Sequence, residues 1–168
     1  MKTLFIMRHA KSSWDNPALS DFERPLNNRG LKTAPFMGEV MAKNGFQPEI
    51  IVSSPAERAK QTAELVKKSA AFATEIRFDE RIYEASPLRL LEVVSGIEDK
   101  YDSAMVVGHN PGFENLVRVL TGKLEAMPTA ALAVVDLEID SWKETTGETG
   151  NLRKLIRPKE EQRSIGAG

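Results

Sequence analysis

The two histidines of the chain, His9 and His109, each follow an apolar segment at the point where a polar turn begins. His9 comes after residues 3–7 and Arg8, and His109 comes after residues 104–108. Apolar segments of this kind are typical of buried parallel strands, whose carboxyl ends open onto the crevice where α/β sheets bind ligands. We therefore expect both imidazoles to face one pocket.

A third apolar segment of the same kind ends in a turn that leads into a predicted helix. Residues 50–52 are followed by Ser53-Ser54-Pro55, and Arg58 falls in the first turn of that helix. Backbone N–H groups at a helix N-terminus favour a bound anion. Two arginines and two histidines at three strand ends therefore predict a phosphate-binding site, made of Arg8, His9, Arg58 and His109.

Four short blocks of the sequence occur in the order and spacing of a known protein family. They are Met-Arg-His-Ala-Lys-Ser (residues 7–12), Glu-Arg-Pro-Leu (23–26) followed by Arg29-Gly30, Ser-Ser-Pro (53–55) followed by Arg58-Ala59 and Gln61-Thr62, and Gly-His-Asn-Pro-Gly (108–112). In these blocks the chain resembles the histidine phosphatase (phosphoglycerate mutase-like) superfamily. Many members have glycine where this chain has Ala10. In this respect the chain resembles the small SixA-type phosphohistidine phosphatases rather than the mutases.

The resemblance implies a phosphatase that works through a phosphorylated histidine. His9 is expected to attack phosphorus with one ring nitrogen while the other donates its proton to a fixed acceptor, for which we expect a main-chain carbonyl. Arg8, Arg58 and His109 are expected to hold the oxygens of the transferred phosphoryl group, whose charge requires preorganised donors. Water would then cleave the phosphohistidine enzyme.

The resemblance also suggests four further site residues. Arg24 matches the pattern of the subgroup, and its loop, residues 11–26, could fold over the mouth of the pocket. Glu84 is the candidate general acid, because it follows the third strand in the region where the family places its proton donor. Lys11 and Ser12 are candidates for contact with phosphate or substrate.

These residues also have ordinary structural interpretations. A histidine at a strand end is commonly a capping or solvent-facing residue. Arg8 and Arg58 could be surface ion-pair residues, the second with Glu57 or Glu64 nearby. Glu84 could be an exposed acid that precedes a helix. The choice between these interpretations depends on whether the segments converge in space.

The composition argues against several classes of protein. The 168 residues include no cysteine, which excludes disulfides, thiolate nucleophiles and cysteine-based metal sites. Two histidines without a carboxylate at ligand spacing make a poor metal site, so no metal or cofactor is expected. The net charge of −1 gives no bulk attraction to nucleic acid or membrane. Without a signal-peptide pattern or an apolar segment of roughly 20 residues, we expect a cytoplasmic protein.

Alternating strand and helix patterns predict a three-layer α/β sandwich with a mainly parallel central sheet. Residues 130–139 and 152–156 predict an antiparallel edge near the C-terminus. The resemblance implies the phosphoglycerate mutase-like fold. We expect one histidine phosphatase-like domain over residues 1–158 and a frayed tail over 159–168.

Helix boundaries follow from capping residues and from proline. The first helix should begin near Asn28 or Thr33 and end at Asn44-Gly45, with Pro35 tolerated only in its first turn. Ser86 followed by Pro87 predicts an N-cap and the first residue of a later helix.

Three functions remain open at this level. The leading hypothesis is a phosphatase of phosphohistidine on a protein, since the larger sugar-phosphate enzymes of the family insert segments that cap the substrate, and a chain this short implies an open site. The alternatives are a phosphatase of small phosphoesters, such as sugar phosphates or nucleotides, and a non-catalytic module that binds phosphate or phosphoproteins. The expected partner is thus a phosphohistidine-containing protein or a small phosphorylated substrate. The oligomeric state is not predicted.

Overall fold

The computed structural model describes residues 1–167, and its centre is a six-stranded sheet with the strand order β3-β2-β4-β1-β5-β6. The strands are β1 (Lys2–Arg8), β2 (Ile50–Ser53), β3 (Ile76–Phe78), β4 (Ser103–Gly108), β5 (Leu132–Leu137) and β6 (Gly150–Ile156). The helices are α1 (Asn28–Lys43), α2 (Glu57–Ala70), α3 (Pro87–Ser95), α4 (Gly112–Thr121) and α5 (Pro158–Ala167).

Strand pairing confirms a mainly parallel sheet with an antiparallel edge. Strand β4 pairs in parallel with both β1 and β2, and β2 pairs in parallel with β3. Strand β5 runs antiparallel to β1, and β6 runs antiparallel to β5. The parallel strands β1, β2 and β4 therefore end at one edge of the sheet, where Arg8 and His9, the turn after Ser53, and His109 follow them.

Two hydrophobic layers cover the two faces of the sheet. Alternate residues of β1 point to opposite faces, so that Leu4 and Ile6 pack with α3 and α4, while Phe5 and Met7 pack with α1 and α2. All four side chains are buried. Helices on both faces explain why the parallel strands are almost continuously apolar.

The start of α3 agrees with the sequence prediction, but the position of Pro35 does not. The Oγ of Ser86 accepts a hydrogen bond from the Arg89 N–H at 3.2 Å, and Pro87 begins α3, as predicted. The expectation that Pro35 would lie in a first helical turn is wrong, because α1 begins at Asn28 and Pro35 lies well inside it. The Pro35 carbonyl accepts a hydrogen bond from Ser69 Oγ at 2.5 Å, where α1 packs closely on α2.

The loop between β1 and α1 is closed at its base. Ser12 and Leu26 form an isolated antiparallel bridge, and the Ser13 N–H donates to the Pro25 carbonyl at 2.8 Å. A Cβ atom on Gly30 would collide with the Lys11 carbonyl oxygen. The start of α1 therefore packs on the first residue of the loop in a way that only glycine permits.

The C-terminal residues form a helix where the sequence predicts a frayed tail. Helix α5 spans Pro158–Ala167, with proline at its start and Glu160 and Glu161 in its first turn, which are favourable residues for a helix N-terminus. Gly168 lies outside the described residues. Within residues 1–167, no helix is both long enough and apolar enough to cross a bilayer.

Candidate active site

His9 is held rigidly at the end of β1. Its Nδ1 lies 2.7 Å from the Ala10 carbonyl oxygen, and since a carbonyl only accepts, Nδ1 carries the proton and Nε2 carries the lone pair. The His9 backbone N–H donates to Gly108 O, and His9 O accepts from the Ala130 N–H, both at 2.9 Å. The predicted main-chain acceptor for this ring is therefore present.

His109 lies beside His9, with 5.2 Å between the ring centroids. Its Nε2 is 2.8 Å from Ser54 Oγ, in the turn after β2. The ring of Tyr83 packs edge-on against His109, with the centroids 5.4 Å apart. The two histidines, which are 100 residues apart in the sequence, thus face the same pocket.

Both imidazoles are neutral at pH 7. Burial, opposed by the hydrogen bond to Ala10, lowers the pKa of His9 to about 3, and the pKa of His109 falls to about 4 through burial and then through the charge of Arg58. A neutral ring is the form that can attack phosphorus, because a protonated imidazole has no free lone pair.

Four cationic side chains line the pocket that contains the two histidines, a cavity of about 270 Å³. They are Arg8, Lys11, Arg24 and Arg58. The Nε atoms of all three arginines are buried and make no hydrogen bond within residues 1–167, although Arg24 Nε lies 3.4 Å from a carboxylate oxygen of Asp21. Arg24 Nη1 and His109 Nδ1 are also buried without a hydrogen bond. Arginines that bury donors without an acceptor point to an anionic ligand that would supply the missing oxygens.

Asp21, in the loop between β1 and α1, binds the pocket arginine Arg58, and the sequence did not single it out. Arg58 donates to its main-chain oxygen at 2.7 Å and to its Oδ2 at 3.0 Å. The Tyr83 hydroxyl donates to the same Oδ2 at 2.5 Å, and Arg24 Nε lies 3.4 Å from Oδ1. The only signal for Asp21 was its position in an arginine-containing loop of the family pattern.

Glu84 lies in an adjoining cavity of about 510 Å³, which shares Arg58 and His109 with the first. It is exposed, and its φ angle of 53° places a residue other than glycine in the left-handed region, which costs conformational energy. Tyr83 and Asp21 line the same cavity. Glu84 therefore shares a cavity with Arg58 and His109 but does not line the cationic pocket that contains His9.

The remaining candidates of the loop lie at the mouth of the cationic pocket. Lys11 is exposed, and Ser12 is half-buried next to its bridge partner in the loop. The Arg24 guanidinium carbon lies 3.4 Å from the centroid of the Trp14 ring, which is itself 76% exposed. This stacking holds the buried Arg24 at the wall of the pocket while Trp14 faces solvent.

The side chains of Thr62 and Asn110 connect the segments that form the pocket by hydrogen bonds. Thr62 Oγ1 donates to the Arg58 carbonyl at 2.7 Å and accepts from the Ala10 N–H at 3.0 Å, so it joins the residue after His9 to α2. Asn110 Nδ2 donates to Met127 O at 2.9 Å, and Arg8 Nη1 donates to the same carbonyl at 3.0 Å. Sequence reasoning did not identify these roles, since they depend on contacts between distant segments.

Comparison with known proteins identifies the family of the chain. The model of the histidine phosphatase superfamily (branch 1) matches residues 4–87, which is half of the chain. A protein of Mycobacterium tuberculosis (strain H37Rv) is 30% identical over 140 residues, covering 77% of this chain and 85% of the relative.

Two solved structures have the same fold. One is described as a candidate phosphohistidine phosphatase SixA of Agrobacterium tumefaciens. It has a TM-score of 0.81 and 26% identity, and the match covers 94% of this chain and 98% of that one. The other is a mycobacterial glucosyl-3-phosphoglycerate phosphatase with a TM-score of 0.70 and 16% identity, matched over 94% of this chain and all of that one. By its matched segment, its relatives and its fold, this chain belongs to the histidine phosphatase superfamily and is a phosphatase of the SixA-like kind.

Proposed function

We propose that the protein removes phosphate from phosphohistidine on another protein and that His9 carries the phosphoryl group between two steps. The observation that supports this most strongly is the unprotonated Nε2 of His9. The Ala10 carbonyl fixes its tautomer at 2.7 Å, and four cationic side chains surround it. The chemistry then needs no metal, since the cationic donors can balance the charge of the phosphoryl group.

In the first step, His9 Nε2 attacks phosphorus and the bond from phosphorus to the substrate imidazole nitrogen breaks. That nitrogen takes a proton, and the phosphoryl group is now bonded to His9. Arg8, Arg58 and His109 hold its oxygens, with Arg24, Lys11 and Ser12 at the edge of the same pocket. His9 Nδ1 keeps its proton on the Ala10 carbonyl throughout.

In the second step, water attacks the phosphorus of the phosphorylated His9. The P–N bond breaks and the electron pair returns to Nε2. Inorganic phosphate leaves with the oxygen and one proton of the water, and the other proton returns to the group that protonated the leaving nitrogen in the first step. Glu84 is proposed as the group that exchanges protons with the leaving group and the water, from the adjoining cavity. An imidazole leaving group requires this acid less than an alkoxide does.

The open mouth of the pocket supports a protein substrate. Lys11 and Trp14 are exposed at its rim, and Glu84 is exposed in the adjoining cavity. A phosphohistidine side chain is short, so it can reach the bottom of the pocket only if the backbone of the substrate protein can come close to the pocket mouth. The name of the Agrobacterium neighbour points the same way.

A second candidate is a phosphatase of small phosphoesters. The adjoining cavity of about 510 Å³ is large enough for a sugar or a base, and the mycobacterial neighbour is named for a sugar-acid phosphate. Such a substrate would depend strongly on Glu84, because its leaving group is an alkoxide.

The deciding experiment combines trapping with a substrate panel. Acid quench and intact mass should detect a phosphorylated His9, and release of phosphate should be faster from a phosphohistidine-bearing phosphotransfer domain than from sugar phosphates or nucleotides. A Glu84→Gln variant should lose more activity on esters than on phosphohistidine. Faster turnover of a small ester than of the protein would instead favour the second candidate.

A further inference from the structure

The carboxylate of Asp21 is placed against the cations that would hold the phosphoryl group. Both terminal nitrogens of Arg58 donate to Asp21, one to its main-chain oxygen and one to its Oδ2. Of the four pocket cations, Arg24 and Arg58 form ion pairs within residues 1–167. Both ion pairs are with Asp21. Asp21 is therefore the carboxylate that forms the ion pairs of the pocket cations among the described residues, while Glu114 acts on Arg8 without an ion pair.

Asp21 is itself fixed from a third direction. The Tyr83 hydroxyl donates to its Oδ2, and Phe22 packs edge-on against the Tyr83 ring with the centroids 5.2 Å apart. These contacts join the loop after β1 to α2 and to the segment before α3. The Tyr83 hydrogen bond, followed by that of Arg58, holds the pKa of Asp21 below its usual range, so the side chain is an anion at neutral pH.

We propose that Asp21 is a positioning residue with two effects on hydrolysis: it orients the Arg58 guanidinium for phosphoryl transfer, and its charge opposes the product phosphate so that phosphate leaves the pocket. This inference rests on the proposed function. Each terminal nitrogen of a guanidinium carries two protons, so Arg58 can hold Asp21 and a phosphoryl oxygen at the same time. A pocket of four cations without a counter-charge would bind the phosphate dianion tightly and be inhibited by its own product.

Two substitutions separate orientation from charge. Asp21→Asn keeps the size of the side chain but removes its charge. We therefore expect the inhibition constant of inorganic phosphate to fall about tenfold, since the negative charge paired with Arg58 and Arg24 no longer opposes the anion. We expect kcat to fall about tenfold as well, because Arg58 loses a charge-assisted hydrogen bond. Asp21→Glu keeps the charge but displaces it, so kcat should fall while phosphate inhibition stays within about twofold of wild type.

The matched control is Asp15→Asn, which removes the same charge from an exposed position in the same loop. It should leave kcat and phosphate inhibition as in wild type, and thermal unfolding of all three variants would show that they fold. An unchanged or weaker affinity for phosphate in Asp21→Asn would overturn the product-release effect. An unchanged kcat would overturn the orienting effect.

Failure of this inference can be told apart from failure of the proposed function. Calorimetry with inorganic phosphate measures the effect of Asp21 on anion affinity without any turnover, and Asp21→Asn should again bind about tenfold more tightly than wild type. The proposed function fails if wild-type protein forms no phosphorylated His9. The inference fails if wild type forms it and phosphate binds both proteins equally.

Discussion

Two arginine–aspartate pairs of the protein have the same chemistry in different surroundings. Across β5 and β6, Arg153 donates to both oxygens of Asp136, from Nε at 2.9 Å and from Nη2 at 2.6 Å, and its side chain is 46% exposed. In the pocket, the side chain of Arg58 is 8% exposed, and its Nε has no acceptor among residues 1–167 although Asp21 binds both terminal nitrogens. In the pair at the sheet edge, the Nε of Arg153 makes a hydrogen bond to the carboxylate. In the pocket pair, the Nε of Arg58 makes none within residues 1–167.

This difference indicates that the charge of Arg153 contributes only to the fold, whereas the charge of Arg58 is placed to bind a ligand. An exposed ion pair contributes about 0–1 kcal/mol to stability, and the sheet edge would fold almost as well without it. Buried donors without an acceptor oppose folding, so their concentration in one pocket is best explained by the anion that they bind. Variants at the two places should therefore affect different properties.

The largest effect is expected from His9→Ala. Removing the nucleophile should lower kcat by at least about 10³-fold, because no other group takes over its role. Acid-labile labelling should disappear while calorimetry still detects phosphate binding to the cationic pocket. Turnover at the wild-type rate would remove His9 from the mechanism and leave the pocket as a binding site alone.

The two arginines give the most direct test of the comparison. Arg58→Ala should reduce kcat/KM by on the order of 100-fold, about 3 kcal/mol, as does the loss of one preorganised donor in other enzymes. Arg153→Ala should leave kcat/KM unchanged and cost less than about 1 kcal/mol of stability in urea denaturation. Equal effects on activity would show that the two pairs do not differ as we infer.

Acidification from pH 7 to pH 5 should destabilise the folded protein through the two buried histidines of the pocket and not through the ion pair at the sheet edge. The folded pKa values of about 3 for His9 and about 4 for His109 lie below the value of 6.5 for a free histidine, so below pH 6.5 the unfolded chain binds protons that the folded protein does not. The free energy of unfolding should therefore fall with pH, by roughly 2 kcal/mol per histidine between pH 7 and pH 5. Urea denaturation at several pH values measures this loss.

Two variants sharpen the pH test. His109→Gln should lose roughly 2 kcal/mol less than wild type over the same pH interval, because one buried imidazole is gone. Arg153→Ala should follow the wild-type pH dependence, since the Arg153 hydrogen bond holds the pKa of Asp136 below its usual value of 3.8, outside the interval. Parallel curves for His109→Gln and wild type would mean that His109 is not buried as a neutral ring.

The smallest effect is expected from Ser54→Ala. This change removes the hydroxyl 2.8 Å from His109 Nε2, so that ring loses one hydrogen bond of about 1 kcal/mol and kcat/KM should fall about fivefold. The matched change at the sheet edge is Thr3→Val, which removes a hydroxyl 3.2 Å from Asp136. Steady-state kinetics of the second variant should equal wild type, and a similar loss in both would indicate a general effect on folding.

The sequence predicted the strand ends well because their signals are local. Arg8, His9, Arg58 and His109 each follow an apolar segment or begin a helix, and parallel strands bring such positions to one edge of the sheet. Local patterns did not predict Asp21, whose partners lie 37 and 62 residues away. Contacts of that kind depend on how a long loop folds back.

The helical errors have a similar origin. Propensity placed Pro35 at the start of a helix, but α1 begins earlier and packs along α2, where tertiary contacts outweigh the lost hydrogen bond. The polar composition of the C-terminal residues suggested a frayed tail, although their proline and glutamates are also good helix-starting residues.

The closed base of the loop after β1 has an evolutionary consequence. The Ser12–Leu26 bridge and the close packing of Gly30 on Lys11 hold both ends of the loop in place, independently of the residues between them. Residues 15–19 are exposed or half-buried and lie outside that base, so they can be exchanged or lengthened while the chemistry is kept. After gene duplication, substitutions or insertions at residues 15–19 could thus give a copy a new partner while its catalytic residues stay the same.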